Sequence, residues 1–166
     1  MRHSMFLGLK GIEYFMFEED FVEQHIRCIP MIVRLNLDMA GIKLKLFEWS
    51  LLSPTERLDL ATRPCRKPAE VSAYKIYLAG LIRKKTGNDA ALIEVDQNPP
   101  WRDMDQVPDL LQEKTKEFSW DISVDQWRGL TQLQRFALLK LCRPGHENKN
   151  FPKAMKEFGL DHQTVI

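Results

Sequence analysis

The chain has 166 residues, 44% of them apolar, with 24 Lys plus Arg against 23 Asp plus Glu and a formal charge of +1. That is long enough for a domain with a real core and too apolar for a disordered chain. The balanced charge gives no overall field for nucleic acid or anionic lipid, and no run approaches the ~20 apolar residues of a bilayer span.

The first segment, Met1 to Gly11, reads poorly as a signal peptide: its apolar run is only Met5 to Leu9, and glutamates and aromatics follow at once. Neither end carries a lipidation motif. The expectation is a cytoplasmic protein in which 1–12 extend from one helical domain over 13–160, with 161–166 as a tail. Glu13 to Phe17 alternates loosely and reads as a short strand or an extended aromatic arm. From Glu18 the pattern is helical, with Phe21, Val22, His25, Ile26 and Ile29 on one stripe. Pro30 interrupts it and suits the first position of a new helix, which runs through Met39 deep in the core and stops at Gly41.

Ile42, Leu44 and Leu46 alternate with Lys43 and Lys45, an extended segment or the turn before a helix, and Leu46 to Leu52 holds Trp49. Ser53, Pro54 and Glu56 are a helix start, cap, proline and capping-box acid, for a helix to about Thr62. Pro64 and Pro68 bracket a loop with Cys65 and Arg66. A helix then carries Val71, Tyr74, Leu78, Leu81 and Ile82 on one face, Lys84 and Lys85 near its end, and Gly87 as its stop. Asn88 to Arg102 is irregular, with Ala90 to Val95 as a strand or one helical turn. Val107 to Phe118 resumes, helical after Pro108. Ser123 with Gln126 and Thr131 with Gln134 are two more capping boxes, starting a short helix through Trp127 and a central one to about Leu141. Phe151 to Gly159 reads as a last helix with Asn150 as cap and Pro152 at its first position. The predicted fold is mainly α, a bundle of about seven or eight helices with at most short strands.

Two stretches echo each other at an offset of 78 residues: Trp49 to Leu60 (WSLLSPTERLDL) and Trp127 to Leu138 (WRGLTQLQRFAL). Trp aligns with Trp, Leu52 with Leu130, Ser53 with Thr131, Glu56 with Gln134 and Arg57 with Arg135, while Cys65 and Cys142 follow, each beside an arginine and a proline. Each stretch states a short helix with a Trp, a tight junction, and a capped second helix. Two similar helix–junction–helix halves are expected, with both tryptophans as packing anchors, although a Trp plus a capping box is also a common local solution on its own.

Chemistry is sparse. His25 with Cys28 and Cys142 with His146 supply the atom types of a zinc site, but only through a long-range assumption, and Ile26 and Ile29 make the first pair look like a helix's buried face. Cys142 with His146 lacks a nucleophile turn, and the aspartates show no pairing. No Walker or G-x-G-x-x-G motif is present, and the basic runs at Arg63 to Lys67 and Arg83 to Lys85 are short. The three cysteines read as buried, reduced thiols. No enzyme activity, metal, cofactor, nucleic acid or membrane is therefore expected. The polar run from Arg143 to Asn150 leaves a buried helix, and reads as a turn or as a polar epitope beside an exposed Phe151. The Tyr14 to Phe17 arm is a second candidate contact.

Residues Phe17 to Trp49 (FEEDFVEQHIRCIPMIVRLNLDMAGIKLKLFEW) and Leu130 to Leu160 (LTQLQRFALLKLCRPGHENKNFPKAMKEFGL) resemble the nitrate reductase associated proteins of cyanobacteria. The specific parts are RCIPM at Arg27 to Met31 and RPGHEN at Arg143 to Asn148; the match is loose from Asn88 to Asp121. The resemblance implies a non-enzymatic accessory role, by protein binding, in the maturation, stability or activity of assimilatory nitrate reductase. That enzyme carries a molybdenum cofactor and an iron–sulfur cluster. The alternative is a carrier or insertion factor for the molybdenum cofactor, with Arg143 or Lys149 as phosphate donors. No catalytic set is implied. Arg27, Cys28, Pro30, Arg143, Pro144, Gly145, His146, Glu147, Asn148 and Phe151 are motif residues, and Lys149 joins them as a candidate contact.

Overall fold

In the computed structural model, residues 15–18 and 29–162 are described, with backbone only at His146 and Glu147. The described residues contain eight α-helices, three short 3-10 turns and one two-stranded ribbon, so the fold is mainly α as expected. They divide into two compact units: Glu18 with 29–96, and Phe15–Phe17 with 97–162. No helix among them is long and apolar enough to cross a membrane.

The first unit begins with α1, Met31–Ala40. Pro30 is not its first residue but its cap: at ψ 148 it lies outside helical space, and its carbonyl accepts from Arg34 N at 3.0 Å. Having no side chain to cap with, Pro30 leaves that work to Glu18, whose buried Oε1 accepts from Met31 N at 2.7 Å. Gly41 ends the helix at φ +74, the left-handed region that a Cβ penalises. Beyond it, β1 (Ile42–Lys43) pairs antiparallel with β2 (Ala91–Leu92), Ile42 opposite Leu92 and Lys43 opposite Ala91. The alternation at 42–46 thus yields a strand of two residues, and the 90–95 segment is extended rather than helical. Next come α2 (Leu46–Leu51), α3 (Pro54–Thr62) and α4 (Pro68–Thr86), the last closed by left-handed Gly87. Val33, Ile42, Trp49, Leu60, Tyr74 and Ile82 are among the side chains that form the core.

In the second unit, a 3-10 turn at Pro100–Arg102 precedes α5 (Asp109–Lys116), α6 (Val124–Gly129), α7 (Gln132–Leu141), a 3-10 turn at His146–Asn150 and α8 (Phe151–Glu157). Leu111, Trp127, Phe136, Leu138, Phe151 and Met155 are fully buried. The expected Asn150 cap is not formed. Asn150 sits in helical space (φ -82, ψ -10) because the 3-10 turn runs straight into α8, so its side chain bonds no backbone N–H there. Pro152 is accordingly the second helical residue. Gly159 (φ +71) ends the helix, with Leu160 N bonded back to Met155 O at 2.8 Å. Of the expected Tyr14 to Phe17 arm, Tyr14 lies outside the described residues and Met16 is exposed, while Phe15 and Phe17 are buried with both rings against Phe158, and Phe17 N donates to Glu157 Oε1 at 3.1 Å.

The echo is a structural repeat. Ser53 and Thr131 have the same dihedrals (φ -70, ψ 160), and each makes a full capping box. Ser53 N donates to Glu56 Oε1 at 2.8 Å, and Thr131 N donates to Gln134 Oε1 at 2.9 Å. Each junction is closed by one bond of 3.2 Å, Leu52 N to Trp49 O and Leu130 N to Trp127 O. The repeat also reaches further back than Trp49. Pro30 (φ -56, ψ 148) matches Pro108 (φ -58, ψ 141) as the residue before the first helix, and Gly41 matches Ser119, which holds φ +56 without being glycine.

Candidate functional site

The run after α7 starts at Cys142, the last helical position, where Cys142 N bonds Leu138 O at 3.1 Å. Its thiol is buried, and burial pushes it up to about 12, opposed only partly by the Lys114 ammonium. Cys65, in the matching place of the first unit, is pushed up to about 11 for the same reason and lies 3.7 Å from Asn36 O. Both thiols are outside any disulfide, and burial disfavours the thiolate at neutral pH in each.

From Cys142 the chain turns outward. Arg143, Pro144, Gly145 and Lys149 are exposed, Asn148 is half-buried, and Asn150 and Phe151 are buried. Asn148 braces the turn: its Nδ2 donates to Arg143 O at 3.2 Å, and its N–H to Gly145 O at 3.1 Å. Beneath lies an apolar shelf, the Phe118 and Phe151 rings 5.8 Å apart with Lys114 Nζ over both, at 5.9 and 6.0 Å. Lys114 is itself paired with Glu117 at 2.8 Å. Asn150 is 3% exposed, and its Oδ1 has no hydrogen-bond donor among the described residues.

The motif residues therefore separate. Arg143, Pro144, Gly145 and Lys149 form an outward, cationic surface with Asn148 as its brace. Phe151, expected to be exposed beside it, is instead a floor residue at 0% exposure, because the 3-10 turn carries the polar residues out and returns the chain to the core. Pro30 is buried at the start of α1. Arg27 and Cys28 lie outside the described residues, as do His25 and the side chains of His146 and Glu147. Among the described residues no three His, Cys, Asp or Glu side chains gather into a metal site. An open concavity of about 470 Å³ is lined by residues of 98–108, including Arg102 and Asp103, and not by Arg143 or Lys149.

Sequence reasoning missed the two carboxylates that anchor the N-terminal residues, Glu18 on Met31 N and Glu157 on Phe17 N. The second joins residues 140 positions apart, and no local pattern announces such a bond. It missed Arg135 too. That guanidinium is 7% exposed and donates to Trp101 O at 2.8 Å and to Leu130 O, while its charge stands 5.9 Å above the Trp127 ring.

No curated relative and no solved structure matches the chain. Residues 14–158 match the family described as conserved nitrate reductase-associated protein, and the chain belongs to that family.

Proposed function

We propose that this member of the nitrate reductase-associated family is a non-enzymatic, cytoplasmic accessory protein that supports the maturation, stability or activity of assimilatory nitrate reductase by binding it. The family's name states an association with the reductase, and the match covers 14–158. The observation that carries the reading further is the outward turn at Arg143 to Lys149. It presents exposed Arg143 and Lys149 on a turn braced by Asn148, over a framework buried at Asn150 and Phe151. Such a turn is built to be touched, and rim cations of this kind set the rate and salt dependence of encounter.

The carrier reading, in which the chain holds the molybdenum cofactor's pterin, needs a concave site with cationic donors. Arg143 and Lys149 do not line the concavity at 98–108, so that concavity does not bring together the two cations the carrier reading names.

The test is recovery of the reductase on the tagged full chain from nitrate-grown cells, with bound pterin assayed. Reductase recovered without pterin on the free chain is the expected result. Pterin on the free chain overturns the reading in favour of a carrier, and recovery of neither removes the association. Arg143→Glu with Lys149→Glu should weaken reductase binding about tenfold, the scale of rim charges, while leaving the unfolding midpoint in place.

A further inference from the structure

The repeat supplies an internal control for the surface. α2 and α6 are equivalent six-residue helices, each burying its Trp and closing on the same 3.2 Å junction bond. Their outward faces differ. On α2, Leu46, Phe47 and Leu51 are 44%, 57% and 44% exposed. The matching residues of α6 are Val124, Asp125 and Gly129. α6 shows that this helix folds and docks its Trp with no large apolar residue on its outer face. The repeat itself does not require three large apolar side chains at these positions, and each leaves apolar surface in water.

Charge points to what covers them. Lys43 and Lys45, both exposed, lead directly into the helix. Glu48, the only carboxylate between Ile42 and Ser53, is turned inward at 5% exposure with its Oε1 on Lys45 N at 2.8 Å. The positions matching Lys43, Lys45 and Glu48 in the second unit carry Asp121, Ser123 and Gln126. This copy thus carries three exposed apolar residues and two exposed lysines, with no exposed carboxylate in the same segment, in a chain whose formal charge is only +1.

We propose that the outer face of α2 is a docking surface for a protein partner presenting an apolar recess edged by carboxylates, with Phe47 as the inserted anchor and Lys43 and Lys45 paired at the rim. Aromatic anchors in apolar recesses, ringed by charge, are the usual architecture of such contacts. One short helix with three apolar residues and two cations is a small device for holding a lipid surface. Where the partner is the reductase, the proposal rests on the accessory reading above; the surface itself is tested apart from it.

The informative variant is Phe47→Asp, which installs the residue of the twin. It falls in the first turn of α2, where a carboxylate suits the helix dipole, so folding is preserved. Binding of purified nitrate reductase to the full chain and to this variant is measured across salt concentrations, with sedimentation of the chain alone and co-sedimentation with phosphatidylserine-containing vesicles alongside. The proposal expects at least a tenfold loss of affinity for Phe47→Asp, and a flatter salt dependence for Lys43→Glu with Lys45→Glu. Equal affinity of Phe47→Asp and the parent overturns the surface and leaves the accessory reading standing. Self-association or vesicle binding that Phe47→Asp abolishes also overturns it, because the occupant is then a second copy or lipid. If the parent chain does not bind the reductase, the accessory reading falls. A benzophenone photo-crosslinking probe at position 47 in cells, with position 125 as control, then decides the surface. Crosslinks at 47 alone, to a protein peptide rich in Asp or Glu beside apolar residues, support it; their absence overturns it.

Discussion

The helix–junction–helix around Trp49 and the one around Trp127 share a backbone and differ in what secures it. In the first, Arg57 is half-buried and donates to two carbonyls of its own preceding helix, Trp49 O at 3.3 Å and Ser50 O at 3.1 Å. In the second, Arg135 is buried and reaches out of the repeat to Trp101 O, 34 positions back. Trp127 does likewise, its indole Nε1 donating to Asp103 O at 2.7 Å, and Arg128 Nε donates to Met104 O at 2.7 Å. The second copy thus straps down the 101–104 segment, whose own backbone bonding is the single 3-10 turn at Pro100–Arg102. The first copy has the β1–β2 ribbon and the long α4 beside it and needs no such strap. One backbone device has been kept twice, while the side-chain bonds follow what each unit must hold in place.

The largest test of that shared device is removal of its anchors. Trp49→Ala and Trp127→Ala should each cost about 3–5 kcal/mol, since both side chains are fully buried. Trp127→Ala should be the worse, because it also leaves Asp103 O unpaired. Urea unfolding measures both. A cost below about 1 kcal/mol at either site would mean that Trp is not the common anchor.

The arginines sharpen the contrast. Arg135→Met should cost about 2–3 kcal/mol, the scale of charge-assisted bonds lost from buried carbonyls, and Arg57→Met about 1 kcal/mol or less. Arg135→Lys should not rescue, because an ammonium cannot reproduce the forked geometry that spans Trp101 O and Leu130 O. Equal costs at 57 and 135 would erase the distinction between a local brace and a strap.

Gly41 and Ser119 invite reciprocal exchange. A Cβ at Gly41 would stand 2.9 Å from Val95 Cγ2 and 3.0 Å from Ile93 O, in a left-handed conformation. Gly41→Ser should therefore cost about 1–2 kcal/mol or more. Ser119→Gly relieves the same conformation and should stabilise by about 0.5 kcal/mol, less than the full relief because glycine also loosens the unfolded chain. Thermal midpoints of opposite sign are expected, and a shared sign would show that the two positions are not equivalent.

How much of this was legible in the sequence follows the reach of each interaction. Capping boxes span three residues, so Ser53, Ser123 and Thr131 announced their helices, and Gly41, Gly87 and Gly159 their ends. The repeat was visible where Trp, Leu and Arg coincide, and hidden over 31–43 because α1 and α5 share burial at Val33 and Leu111 but almost no residue identities. The turn after Cys142 was legible as a motif, while its division into an exposed rim and the buried Phe151 depends on a 3-10 turn set by packing. The face of α2 was not found at all. Its signal, apolar residues where the twin has polar ones, lay in the same alignment and was read only for what the two copies have in common.

The smallest test concerns one proton. The two boxes differ in that Glu56 titrates and Gln134 does not. The Ser53 backbone N–H, and then the Lys85 ammonium at 3.0 Å, hold the Glu56 carboxyl below the usual carboxylate range. With the folded value depressed, the unfolded chain binds the proton more readily. Glu56's contribution is therefore present above the ordinary carboxylate pKa of about 4.3 and lost as pH falls through the lower folded value. The pair lies near the surface, with the Glu56 side chain 17% and Lys85 29% exposed, and such pairs contribute only about 0.5 kcal/mol. The effect should still be plain in an amide NMR titration. The Ser53 N–H should move through an acid transition below pH ~4.3 while the Thr131 N–H, on a neutral amide, stays. Glu56→Gln should make the first box as insensitive as the second. A Thr131 amide that moves with Ser53 would mean that acid acts on the units as wholes and not through this carboxylate, and the two boxes would then be alike in response as well as in shape.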